Sequence, residues 1–241
     1  MKKINKTSEL MWIFGTVFVA LGVAICSKAD LGVSMIAAPA FVVYDAIKDL
    51  WSGFSVGMTE YIIQGILLII MCIAVRHFTW KYLLAFLVAV IYGYTLDLFL
   101  MIFSSVTFDA VWLRYLMLIV GDCVTGFGVA CFFRTYLPLQ VYELFVAEIS
   151  ACFKFNITKV KRCFDFSLLI ISLVLAFTLF SDFKTFDWST IAHSSFHSIG
   201  LGTIITTVIN SVLISAWGKL IDKISDCEAK FPKLEAILKR H

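Results

Sequence analysis

Six apolar runs, each long enough to cross a bilayer, are interleaved in this chain with two that are too short. The long runs cover residues 10–26, 56–75, 82–103, 111–133, 164–180 and 196–217. The short ones cover 33–47 and 139–152, and each follows a long run that ends at a cation, Lys28 or Arg134. About 20 apolar residues are needed to span hydrocarbon, and runs of about 10–14 read as buried or re-entrant pieces. A chain that is 61% hydrophobic and only 15% charged cannot hide that much apolar surface in a soluble fold of this size. The expected fold is all-α: a polytopic membrane protein in one integral domain over 1–218, with a cytoplasmic tail at 219–241.

Charge chooses between two topologies. If both short runs cross the membrane, eight spans result, and Arg76, His77 and Lys81 fall outside. If both dip in and return, six spans result. The N-terminal Lys2, Lys3 and Lys6, the 76–81 link, the basic stretch 154–162 and the C-terminus then all face the cytoplasm. The cation-poor link 104–109 and the link 181–195, with its single Lys184, face outward. The six-span arrangement satisfies the positive-inside bias at every loop. It predicts about six transmembrane helices plus two short re-entrant helical hairpins.

The two stretches that lead into the short runs also align. Gly22, Val23 and Ala24 match Gly128, Val129 and Ala130; Lys28 meets Arg134, and Leu31 meets Leu137. Three spans per half is an odd number, so halves of about 9–108 and 109–218 would face opposite ways. That is an inverted 3+3 repeat, the plan of many secondary transporters. Backbone at the hairpin tips must then line protein or a wet cavity, because lipid cannot satisfy its polar groups. In the eight-span alternative the repeat is parallel instead.

Polar residues inside the runs are the candidate functional groups. A carboxylate at a helix centre costs about 3 kcal/mol, while one Leu or Phe returns only about 0.3–0.6. Asp122 is the deepest by position, and Asp97 lies nearer its span's end. Each reads as a substrate-binding or coupling carboxylate, or as a structural one bonded to a neighbour such as Thr125. Lys28 and Arg134 fit capture of an anionic group or ion pairing with Asp30, Glu143 or Asp122, and equally a snorkelling anchor. Gln140, Glu143 and Glu148 lie on the second short run. Pro138 is a natural helix start there, which would aim a positive helix end into the protein. Glu60 and Gln64, four apart, share a helix face. Asn210 sits deep in the sixth run, where a helix–helix hydrogen bond is the commoner role.

His193 and His197 have the i, i+4 spacing of two metal ligands, but no third ligand is evident. The seven cysteines form no CxxC and read as small hydrophobes. The first run lacks a small-residue cleavage site and reads as an uncleaved span. No nucleotide-binding or hydrolase motif is present, and no basic stripe with interleaved aromatics. The expectation is therefore no enzyme, cofactor, metal or nucleic acid. The partners are the lipid bilayer and an unknown small solute, with a homo-oligomer left open.

The run GTVFVALGVAICSKADLGVSMIAAPAFV, then SVGMTEYIIQGILLII and VIYGYTLDLF, resembles the bacterial YczE/YitT-type integral membrane proteins. The features shared are Gly15 and Gly22 in the first helix, the turn Leu31-Gly32-Val33-Ser34, Gly57 at a span entry, and Gly93 with Asp97. The second half departs more: Pro138 stands where the turn glycine would be, and the resemblance is expected not to extend to the soluble C-terminal domain of the YitT branch. The resemblance implies a multi-pass protein of the bacterial cytoplasmic membrane and no particular substrate.

The leading expectation is a small-solute permease that binds its substrate near the midplane between the two short segments. The site would draw on Asp122, Asp97, Arg134, Lys28, Gln140, Glu143, Gln64 and Asn210. The alternative is a non-transporting membrane partner or assembly factor that acts through the basic loop and the tail.

Overall fold

A computed structural model describes residues 7–51, 53–180, 193–231 and 235. Its described residues form eight helices and no strand: α1 (Ser8–Lys28), α2 (Ala38–Ile47), α3 (Val56–Val75), α4 (Lys81–Ile102), α5 (Val111–Phe132), α6 (Val141–Phe153), α7 (Ile157–Leu179) and α8 (Leu201–Ile224). All but α2 and α6 are long and apolar enough to cross a membrane. The architecture is that of a polytopic helical membrane protein.

Local chemistry sets the helix ends. Ser55 caps α3 by accepting from the Met58 amide, and Arg76 in the left-handed region stops it. Asn156 caps α7 by accepting from the Thr158 and Lys159 amides. That cap starts α7 at Ile157, so Lys159, Lys161 and Arg162 stand on its first turns rather than in the basic loop expected at 154–162. Pro39 occupies the opening of α2, where its missing N–H removes a group that would have no partner anyway. The sixth span also differs from expectation, for α8 begins at Leu201 and continues to Ile224, taking in Lys219, Asp222 and Lys223.

The centre of the bundle is the seam between α1 and α5, which run antiparallel. A Cβ on Gly22 would come within 2.5 Å of the Gly121 carbonyl oxygen, and one on Gly128 within 3.0 Å of the Gly15 carbonyl oxygen. The two contacts are mirror versions of each other: Gly15 and Gly121 are as far apart in sequence as Gly22 and Gly128. Lipid offers no hydrophobic drive between helices, so small residues that let backbones approach are what hold such a seam. Outward faces carry Ile62, Ile66, Ile69 and Ile73 on α3, and Phe166, Ile170, Val174 and Phe177 on α7. These are rows spaced for one side of a helix.

Loop contacts sort the connections onto two ends of the bundle. At one end, the Ser8 hydroxyl donates to Thr135 and accepts from the Tyr136 amide, and Thr7 bonds Ser225. Tyr136, Leu137 and Pro138 share a cavity of about 330 Å³ with His77, Thr79, Lys81 and Glu148. The Tyr136 hydroxyl donates to Glu9 at 2.7 Å, and burial together with that carboxylate pushes the phenol up to about 12. The stretch after α8 folds back here, the amides of Lys230 and Phe231 donating to Glu9. The rest of the expected tail, apart from Glu235, lies outside the described residues, as do Lys2, Lys3, Lys6 and Lys184.

At the other end, Gly202 N–H donates to Leu31 and Val33 N–H to Ser198. Asp30 accepts from Arg114 and Ser195, and Asp45 faces His197 at 3.8 Å. The chain therefore leaves this end at Leu31–Val33 and returns to it at Asp45 through α2. It leaves the opposite end at Thr135–Tyr136 and returns there at Glu148 through α6. Each short helix thus starts inside the bundle and runs back to the end that its chain came from, α2 at one end and α6 at the other.

One difference between helix pairs shapes the site. α3 packs along α4, with Gly57 against Gly93, but α7 and α8 barely touch. A cleft opens between them.

Candidate binding site

The tips of the two short helices line one small cavity. Ser34, Ile36 and Ala37 come from the approach to α2, and Gln140, Tyr142 and Glu143 from the start of α6. Glu60 of α3, Tyr92 of α4, Thr125 of α5, Lys161 of α7 and Asn210 of α8 join them in the wall, beside the apolar Val19, Val23, Val129 and Ile214. The cavity is about 30 Å³, room for one or two waters or a small head group. It shares Ser34, Ile36, Lys161, Asn210 and Ile214 with the α7–α8 cleft, whose volume is about 530 Å³. The centre thus has a lateral approach.

Glu60 and Gln64 are fully buried. Glu60 Oε2 accepts from the Tyr142 hydroxyl at 3.0 Å and from Gln64 Nε2 at 3.5 Å. Glu60 Oε1, Glu143 Oε2, Asn210 Oδ1 and Gln140 Nε2 have no protein partner. Leaving a buried polar group unmet costs about 1–3 kcal/mol, and more if it is charged, so such groups cluster where a ligand completes them. The one lysine in the wall, Lys161, bonds Asp165 at 3.5 Å. Among the groups at the centre, carboxylates outnumber cations.

The residues singled out from sequence divide into two sets. Gln140, Glu143 and Asn210 reach the cavity, and Gln64 stands behind it on Glu60. Asp122 is buried one turn from Thr125, with Oδ2 unpartnered, beside the Cys26 end of the α1–α5 seam and not in the cavity wall. Asp97 holds the start of α3, accepting from the Gly57 amide at 2.8 Å and the Ser55 hydroxyl at 2.6 Å. Lys28 lies at one end of the bundle, donating to the Ser104 carbonyl at 3.5 Å. Arg134 lies at the other end, where its guanidinium grips both oxygens of Asp222 at 2.6 and 2.7 Å. His193 and His197 do not converge on a common point. His197 stacks on Phe180 and faces Asp45, while the His193 carbonyl accepts from Arg114.

Glu60, Tyr92, Tyr142 and Lys161 are members that the sequence reading did not assign to the site. The i, i+4 spacing with Gln64 was the available signal for Glu60. Lys161 was hidden because a lysine beside other cations reads as loop, and nothing in the local sequence distinguishes Tyr142 from other aromatics.

The fold and this enclosed polar centre define a multi-pass helical membrane protein. Over residues 6–219 the chain matches the model of a family of unknown function, DUF6198, and it belongs to that family. No curated protein and no solved structure matches it.

Proposed function

We propose that the protein is a small-solute secondary transporter of the bacterial cytoplasmic membrane, built as an inverted repeat, with both termini cytoplasmic. The observation that carries the reading is the meeting of two re-entrant helix tips from opposite ends at a buried cluster with unmet polar atoms, Glu60 and Glu143 foremost. Secondary transporters bind at such a midplane junction and expose it alternately by rocking one half against the other. The reciprocal Gly22–Gly121 and Gly15–Gly128 contacts give this chain a close seam about which two halves could rock. The cationic 76–81 link and the basic start of α7 share an end with residues 7–9 and 225–231, as the positive-inside bias asks of a cytoplasmic face.

The likeness to YczE/YitT-type proteins fits this reading and adds no substrate to it. The alternative is a non-transporting partner that uses the basic segment and the tail as contact surfaces. That reading keeps Lys154, Lys159 and Arg162 as exposed cations, while Lys161 faces the cavity and residues 230–231 are tied to Glu9.

The test is flux in liposomes containing only the purified chain, screened by counterflow against small amines, acids, sugars and ions. The reading expects saturable flux of at least one solute class above empty liposomes, lost in Glu143→Gln. No flux for any class, together with a stoichiometric partner on purification from native membranes, would overturn it.

A further inference from the structure

We propose that the central site takes an organic ammonium head group, with the apolar part of the molecule lying in the cleft between α7 and α8. The inference deepens the transporter reading and rests on it for its physiological meaning, though binding can be tested alone.

Three of the unmet atoms in the cavity wall are acceptors, Glu60 Oε1, Glu143 Oε2 and Asn210 Oδ1, against one donor, Gln140 Nε2. A ligand that completes this set brings more donors than acceptors. An ammonium has three donors and no acceptor. Charge points the same way. Lys161 bonds Asp165 at 3.5 Å and its charge is also felt at Glu143, so one lysine serves three carboxylates, Glu60, Glu143 and Asp165, and buried carboxylates demand either a proton or a positive partner. The inward N-terminus of α6 does not reverse this sign, because Glu143 itself sits in its first turn and answers the helix dipole.

The small volume at the centre limits the head group, and the cleft accommodates the remainder. Met35, Ile36, Phe133, Phe166, Val208 and Ile214 give the cleft its apolar wall. A hydrated inorganic cation would have no use for such a surface. A molecule with one charged end and a hydrocarbon body fits both parts, and the opening on the α7–α8 side lets it arrive from the bilayer.

The test uses the whole chain in nanodiscs and three probes with one hydrocarbon chain and different heads: n-hexylammonium, n-hexanoate and n-hexanol, with sodium chloride as a fourth. Thermal unfolding is followed for the wild type, Glu60→Gln and Glu143→Gln. The expected result is a concentration-dependent rise in the wild-type midpoint with hexylammonium only. Glu143→Gln should weaken that binding about ten-fold or more, the size of one charge-assisted bond. Glu60→Gln should do the same if it folds, and Glu143→Gln suffices if it does not. An equal or larger rise with hexanoate, hexanol or sodium, or an unchanged hexylammonium response in Glu143→Gln, overturns the proposal. Ammonium binding without flux in liposomes would sink the transporter reading and leave this one standing. Flux of a carboxylate solute with no ammonium binding would do the reverse.

Discussion

Tyr142, in the first turn of the second short helix, donates its hydroxyl to Glu60 on α3 at 3.0 Å, well inside the bundle. That bond ties a helix tip that entered from one end to a long helix that starts at the other. It also leaves the second oxygen of Glu60 unmet. The site is thus held in place by one half of a carboxylate and left open at the other half.

The seam between α1 and α5 should tolerate no added bulk. Gly22→Val would press on Gly121 and Thr125 across the seam, where no flexible side chain can yield. We expect a loss of about 1–3 kcal/mol, the usual range for overpacking. Gly128→Val should behave alike, and Gly53→Ala, whose Cβ would meet only Trp51 at 3.4 Å, should be neutral. Thermal unfolding in detergent decides.

Asp97 and Glu143 should separate stability from function. Asp97→Ala removes the acceptor for the Gly57 amide and the Ser55 hydroxyl, and should cost about 0.5–2 kcal/mol as lost helix caps do. Its apparent affinity for solute should match the wild type once the amount of folded protein is equalised. Glu143→Gln should fold normally and lose solute affinity. A Glu143→Gln protein with wild-type flux alongside an inactive but folded Asp97→Ala would reverse the assignment.

Arg134 and Asp222 form a two-point ion pair whose acidic partner is more than half exposed. Solvent screening limits its worth, so a double-mutant cycle of Arg134→Gln and Asp222→Asn should give a coupling of about 0.2–1 kcal/mol. The coupling should shrink as salt is raised. A coupling several-fold larger and insensitive to salt would mean that the pair is more deeply shielded than its exposure implies.

Sided labelling checks the re-entrant course of both short helices. In a cysteine-free background, Lys48→Cys should react with an impermeant maleimide from outside the cell. His77→Cys should react only after the inner face is opened. The reverse pattern at Lys48 would turn α2 into a crossing helix and remove the opposed halves.

The long spans could be read from the sequence because lipid imposes one strong rule, about 20 apolar residues per crossing, and α3 occupies its expected 56–75 bounds. The short helices were legible for the same reason, as runs that fail the rule. What stayed hidden depends on which way a side chain turns. Asp97 and Glu143 look alike as carboxylates in apolar runs, yet one caps a helix and the other faces a cavity. That difference is fixed by Ser55 and Gly57 around Asp97 and by Glu60 and Asn210 across the cavity from Glu143, residues brought near by packing rather than by sequence. Hydropathy leaves Lys161 in the basic stretch 154–162, because it ends a span at the first cluster of cations. A capping Asn156 begins the helix earlier and lets the lysine reach inward along α7.

The most direct test of the account is the accessibility of the centre from each side of the membrane. Ser34 lines both the central cavity and the cleft. A single Ser34→Cys in a cysteine-free background can be probed in right-side-out and inverted vesicles with a small impermeant thiosulfonate. The account predicts reaction from both faces, each slowed by transported solute. Reaction from one face only, unaffected by any solute that the protein moves, would contradict it.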